Sequence, residues 1–153
     1  MPRVHRVVHT APFNLLAQHS VRAMRKRAMH STIHNITFDC ADAGVQARFW
    51  AAVTGWTAKQ EDDTPGHVEY SVRPPDGSEP KLYFTSVPEP KTSKNRIHLD
   101  LLPPDGGEPR DELARLLALG ATIAENQPPD VGWLILADPE GNEFCLEGAG
   151  AAE

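Results

Sequence analysis

Two stretches of the chain follow one plan, and that repetition limits the possible folds more than any other feature. IHNITFDCAD ends in Asp42 and leads into AGVQARFWAAVTGW, which stops at Gly55. RIHLDLLPPD ends in Asp105 and leads into EPRDELARLLALGAT, where Gly120 is the stop. The two aspartates lie 63 residues apart and the two glycines 65. The turn glycines of PPDGSEPKLYF and DPEGNEFCLEG, Gly77 and Gly141, lie 64 apart. One offset held at three landmarks marks a duplicated unit.

Each unit reads strand, helix, strand, strand, strand. In the first, Ile33–Cys40 alternates, and Phe49, Trp50 and Val53 give a short helix its apolar stripe. WTAKQ, HVEYSVR and KLYFTSV follow as strands. In the second, Leu113, Leu116, Leu117 and Leu119 form the helix stripe, with ATIAEN, GWLILA and NEFCLE as strands. Asp42 and the pair Glu108-Pro109 signal the helix starts. The polar linker PEPKTSKN separates module one, residues 32–90, from module two, residues 95–148, with 149–153 as a tail. The expected fold class is α+β: two tandem βαβββ modules whose sheets curl around a cleft.

The net charge of −6 hides an asymmetry. Residues 1–30 carry six Lys or Arg and no acid, leaving nine basic residues against all 21 acidic ones, a balance of −12. Residues 1–31 therefore read as a basic, disordered extension, either transit-like or upstream of a true start at Met24 or Met29. The acidic remainder offers no footprint for nucleic acid. No apolar run approaches the ~18 residues of a membrane helix. Two cysteines make no disulfide framework, which points to a reducing, cytoplasmic setting.

Strand parity sorts the faces. Ile36, Phe38 and Cys40 oppose Asn35, Thr37 and Asp39; Leu82 and Phe84 oppose Tyr83, Thr85 and Val87. Ile97, Leu99 and Leu101 oppose Arg96, His98, Asp100 and Leu102, and Phe144 and Leu146 oppose Glu143, Cys145 and Glu147. One helix per module covers one sheet face. The polar second face is either solvated, as one-sided antiparallel sheets often are, or turned into a shared ligand cleft.

FDCAD, RFWAAVTGW, KNRIHLDL and DPEGNEFCLE, in this order and spacing, resemble the glyoxalase/bleomycin-resistance/dioxygenase family, the vicinal oxygen chelate superfamily, over residues 32 to 148. The resemblance implies paired βαβββ modules around a cleft, often a divalent metal, and functions from lyase and dioxygenase chemistry to antibiotic sequestration. It also admits a homodimer through the sheet edges. Metal-dependent members carry His, Gln or Glu on the first and last strand of each module. His98 matches one such position, Asn35 stands at its counterpart, and Cys145 stands where the last-strand glutamate is usual. Lys81, Tyr83 and Thr85 share the parity of the remaining place. The expectation is therefore no metal ligand set and no cofactor, with a divalent ion as the alternative.

His98 is the candidate catalytic residue, an acid/base group paired with Asp100 or Glu143; a histidine bonded within the sheet is the plainer reading. The candidate ligand-binding face is Asn35, Thr37, Asp39, Tyr83, Thr85, Asp100, Glu143 and Cys145, with Trp133 as an apolar wall or an edge-packing residue. Glu143 and Glu147 flank Cys145 and should raise its pKa, which favours an inert thiol. The expected function is binding of a small molecule in a metal-poor cleft, by sequestration or by acid/base chemistry through His98. One alternative is a metal-dependent lyase or dioxygenase in which a register shift brings His34 beside His98. The other is a non-catalytic scaffold or dimerisation module.

Overall fold

The alternation after Ile33 is realised as β1 (Asn35–Cys40) in the structure, a computed structural model that describes residues 30–150. The basic extension falls almost wholly outside the described residues, as do residues 151–153. Asp42 caps α1 (Ala43–Thr54) by accepting from the Val45 backbone N–H at 2.9 Å. Gly55 closes that helix in the left-handed region at φ 70°, where a side chain would be strained. β2 (Thr57–Thr64), β3 (His67–Arg73) and β4 (Lys81–Ser86) complete module one. Module two runs β5 (Asp100–Leu101), α2 (Pro109–Ala118), β6 (Thr122–Ile123), β7 (Trp133–Ala137) and β8 (Glu143–Glu147).

Both modules share one topology. Their four-stranded sheets run β1-β4-β3-β2 and β5-β8-β7-β6, and the first strand of each lies parallel to the last. Tandem βαβββ modules are thus the fold. The β1–β4 register runs unbroken from Asn35↔Lys81 to Cys40↔Ser86, so no shift moves His34 inward. His34 is instead bonded to Glu79.

Three elements differ from the sequence reading. β2 runs past WTAKQ through four further polar residues, Glu61 to Thr64, with a register shift between Gln60 and Asp62. The strand expected over Arg96–Leu102 shrinks to Asp100 and Leu101. There the Glu143 carboxylate accepts the Asn95 backbone N–H at 2.6 Å, taking a donor that a longer strand would use. Ile97, expected against the helices, is left 78% exposed. In α2 the inward face is Pro109, Glu112, Leu113 and Leu116, so Leu117 and Leu119 point outward. Glu112 is buried there and accepts from the exposed Arg115, whose guanidinium also donates to the Ala52 and Val53 carbonyls at the end of α1, both at 2.9 Å.

A single core joins the modules. Trp50, 1% exposed, places its ring 5.8 Å from Phe38 and 5.3 Å from Phe144. Its indole N–H donates to the buried Asp138 carboxylate at 3.2 Å. Asp138 also accepts from the backbone N–H groups of Glu140 and Asn142 at 3.0 and 2.9 Å, which fixes the β7–β8 turn. From that turn the Glu140 carboxylate accepts from the Ala41 and Asp42 N–H groups at 2.7 and 2.8 Å, just before α1. Module two thus grips the start of the module-one helix. Among the described residues, no helix is long and apolar enough to cross a membrane.

Removing the Asp138 carboxylate leaves several buried donors without an acceptor. Asp138→Ala is expected to lower the unfolding free energy by about 2–3 kcal/mol in urea titration. A loss below about 0.5 kcal/mol, the scale of an ordinary surface change, would show that this turn does not tie the modules.

Candidate functional site

Phe144 and Leu146 are fully buried on the helix side, so Glu143, Cys145 and Glu147 face the other way. The pairing then sets out rows across this open face. Cys145 lies between Asp100 and Ile135, Glu147 opposes Trp133, and Glu143 opposes Ala137. The Cys145 N–H donates to the Leu99 carbonyl at 2.9 Å, extending the pairing one step before β5. His98, two residues before Asp100, shares its face. These groups, with Lys94 and Pro128, line a cavity of about 310 Å³.

His98 Nδ1 lies 2.9 Å from Asp100 Oδ1 and 3.6 Å from Cys145 Sγ. An ionised carboxylate only accepts, so Nδ1 carries the proton facing Asp100, and in the neutral tautomer Nε2 is left as the acceptor. The trio is not a nucleophilic triad. Both neighbours meet the same ring nitrogen, whereas a triad needs the thiol on one nitrogen and the carboxylate on the other. The thiol is also poorly activated. Burial, then its hydrogen bond to Asp100 and the charges of Asp100 and Glu147, push Cys145 up to about 11, against a small opposing effect of Lys94. Cys40, in the core, is pushed up to about 12, mainly by burial. Both cysteines are free thiols.

Glu143 is held by Lys91 at 3.9 Å, Lys94 at 3.7 Å and the Asn95 N–H. With His98 it also walls a second cavity, of about 230 Å³, at the seam between the modules, where Thr37 and Asp39 contribute from β1. The expected shared cleft is therefore two adjoining cavities. Asn35, Tyr83 and Thr85 line neither. Tyr83 donates to the Glu69 carboxylate at 2.6 Å, and that bond does most to push the phenol up to about 12. Beside it Glu61 accepts from Lys59 and Ser71 at 2.8 and 2.7 Å and pairs with Arg73. These bonds, that from Lys59 foremost, hold the Glu61 carboxyl down at about 2. The module-one face is closed by its own ion pairs.

Sequence reasoning passed over Ile135, Lys94 and Pro128 as site residues. Ile135 sits in the uniformly apolar run WLILA, where only its two-residue step from Trp133 marks it as open-face. Lys94 and Pro128 come from loops, whose side-chain directions carry no period.

A family model for the glyoxalase-like domain matches residues 35–147. The chain belongs to that family. Its superfamily is the glyoxalase/bleomycin resistance/dioxygenase group, and a solved member from Sphaerobacter thermophilus is similar at 19% identity and TM-score 0.55, covering 78% of this chain and 98% of that one. The fosfomycin resistance protein FosX of Listeria monocytogenes, in complex with Mn(II) and 1S,2S-dihydroxypropylphosphonic acid, is 17% identical with TM-score 0.60, over 80% of this chain and 95% of its own. Glyoxalase I of Leishmania major, described as trypanothione-dependent, is 13% identical with TM-score 0.59, over 78% and 88% of the two chains. At these identities the likeness is one of fold. No curated protein matches the chain.

His98, Asp100 and Cys145 of this glyoxalase-like domain hold one potential metal-ligand atom each, all within 4.8 Å of one another. All three belong to module two. Thr37 pairs with Tyr83 as Asp100 pairs with Cys145, so Tyr83 is the module-one counterpart of Cys145 and Asn35 that of His98. Tyr83 is committed to Glu69. Asn35 offers only a neutral amide oxygen, a poor ligand for zinc or iron beside imidazole and carboxylate. The residues present do not fit a metal shared between modules.

Burial and the neighbouring Asp100 and Glu147 charges keep Cys145 a thiol at neutral pH. Native protein should therefore resist iodoacetamide at neutral pH, and Asp100→Asn should speed labelling of Cys145 by removing a charge that raises its pKa. Mass spectrometry showing native Cys145 alkylated at the unfolded-state rate would contradict the geometry.

Proposed function

We propose that this glyoxalase-like domain binds a small organic molecule on the open face of module two without a metal, using His98 as its acid/base group. The observation that carries the reading is the His98–Asp100 pair, 2.9 Å apart, in a cavity walled by Trp133, Ile135 and Pro128. Asp100 orients the ring and stabilises the imidazolium once Nε2 accepts a proton from a bound hydroxyl or acidic C–H. The apolar wall keeps water from part of the ligand and strengthens those interactions. Cys145 serves as packing beside the His98–Asp100 pair, not as a nucleophile. The same geometry suits plain sequestration, in which the ring is a hydrogen-bond acceptor.

The phosphonate of the FosX complex does not carry over. A multiply charged anion would meet Asp100 and Glu147 in this cavity, and like charges at short range repel. A metal-assisted lyase or dioxygenase is the second reading, favoured by one observation, the 4.8 Å cluster of His98, Asp100 and Cys145.

Elemental analysis and a thermal-shift screen against a metabolite set separate the two. The proposal expects well under one equivalent of metal and no change in melting temperature on chelation. Ligand-induced shifts should vanish in His98→Ala, while the unliganded variant stays within about 0.5 kcal/mol of the parent. Stoichiometric zinc, iron or manganese that is lost in His98→Ala would overturn the proposal.

A further inference from the structure

The cavity on module two has an unbalanced charge distribution. Glu143 is met by two lysines, Lys91 and Lys94. Lys94, the one Lys or Arg side chain lining the cavity, is thereby committed. Asp100 meets the His98 ring and no Lys or Arg. Glu147, half-buried, has no hydrogen-bond or ion-pair partner among the described residues. Two carboxylates therefore face one cavity with no Lys or Arg partner of their own among the described residues.

Opposite Glu147 in the ladder stands Trp133, 37% exposed. Directly opposed side chains on one sheet face lie about 5 Å apart at Cβ, so an indole and a free carboxylate border one space. A large aromatic left open in a concave wall presents its face to whatever enters the cavity. Trp offers the best cation–π face of any side chain. Ile135 and Pro128 supply an apolar wall beside it.

Resting on the proposed ligand cavity, we infer that its ligand is a small organic cation: a protonated amine on an apolar or aromatic body. The ammonium group sits at the Trp133–Glu147 end, and Asp100 adds to the attraction. The apolar body lies on Ile135 and Pro128, toward His98. A carboxylate in place of the amine meets repulsion from both acids, and a hydroxyl gains neither the ion pair nor the cation–π contact.

The test uses the full chain and three probes of one shape: 2-phenylethylamine, 2-phenylethanol and phenylacetate, titrated by NMR on the Trp133 indole signal. The amine should bind at least about tenfold more tightly than the alcohol, and phenylacetate most weakly. Glu147→Gln should lower amine affinity about tenfold and leave that of the alcohol unchanged. Trp133→Leu, read by calorimetry, gives the same contrast independently should Glu147→Gln fail to fold. Equal binding of all three, preference for the carboxylate, or an amine preference that survives both substitutions would overturn the cation inference and leave the cavity reading standing. No binding of any probe would overturn both.

Discussion

Phe144 and Leu146 have no contact with water, and that burial decides which way the rest of β8 faces. Each contributes about 1.5–3 kcal/mol by leaving solvent. A slip of one residue would exchange them for Glu143, Cys145 and Glu147, placing two charges and a thiol in the core. The register is therefore strongly held. It carries the open face with it, since Asp100, Ile135 and Trp133 are positioned by pairing with β8 directly or through β7. The Trp50–Phe144 contact extends the same constraint to module one, and Asp138 adds a hydrogen bond across that junction.

Duplication produced two sheets of one topology with opposite outcomes on their open faces. In module one, the row Lys59, Ser71, Tyr83 and Thr37 is bound up with Glu61, Arg73 and Glu69, so its charged groups answer one another. In module two, the equivalent row is Ile135, Cys145 and Asp100, and apolar atoms replace much of that network. A face whose polar groups are mutually satisfied gains little from a ligand. A face with an uncovered indole beside an unpaired Glu147 carboxylate offers a ligand more.

Much of this could be read from the residues alone. Two-residue alternation identified the buried sides of β1, β4 and β8, and the cap pair Asp42 and Gly55 bounded α1. What failed had local causes. Ile97 and Leu99 look alike in an alternating pattern, yet only Leu99 packs against the core, because a carboxylate from β8 captures the chain at Asn95. Leu117 reads as core by type, yet Glu112, tied to the exposed Arg115, takes the buried side of α2 and Leu117 points outward. The stretch EDDT is compositionally poor for a strand, but pairing with β3 extends β2 through it. The cavity's loop residues, Lys94 and Pro128, carried no periodic signal at all.

The glyoxalase-like fold supplies a cleft-facing histidine, and in this chain its immediate partners are a carboxylate and a thiol on one sheet face. The central claim is that Asp100 fixes the ring with Nδ1 protonated and Nε2 free to accept. Long-range ¹H–¹⁵N correlation spectra of the imidazole side chains, with His98 assigned by its loss in His98→Ala, read this directly at a pH where the ring is neutral. The expected result is a proton on Nδ1 and an unprotonated Nε2. A His98 ring protonated at Nε2, with Nδ1 bare, would contradict it.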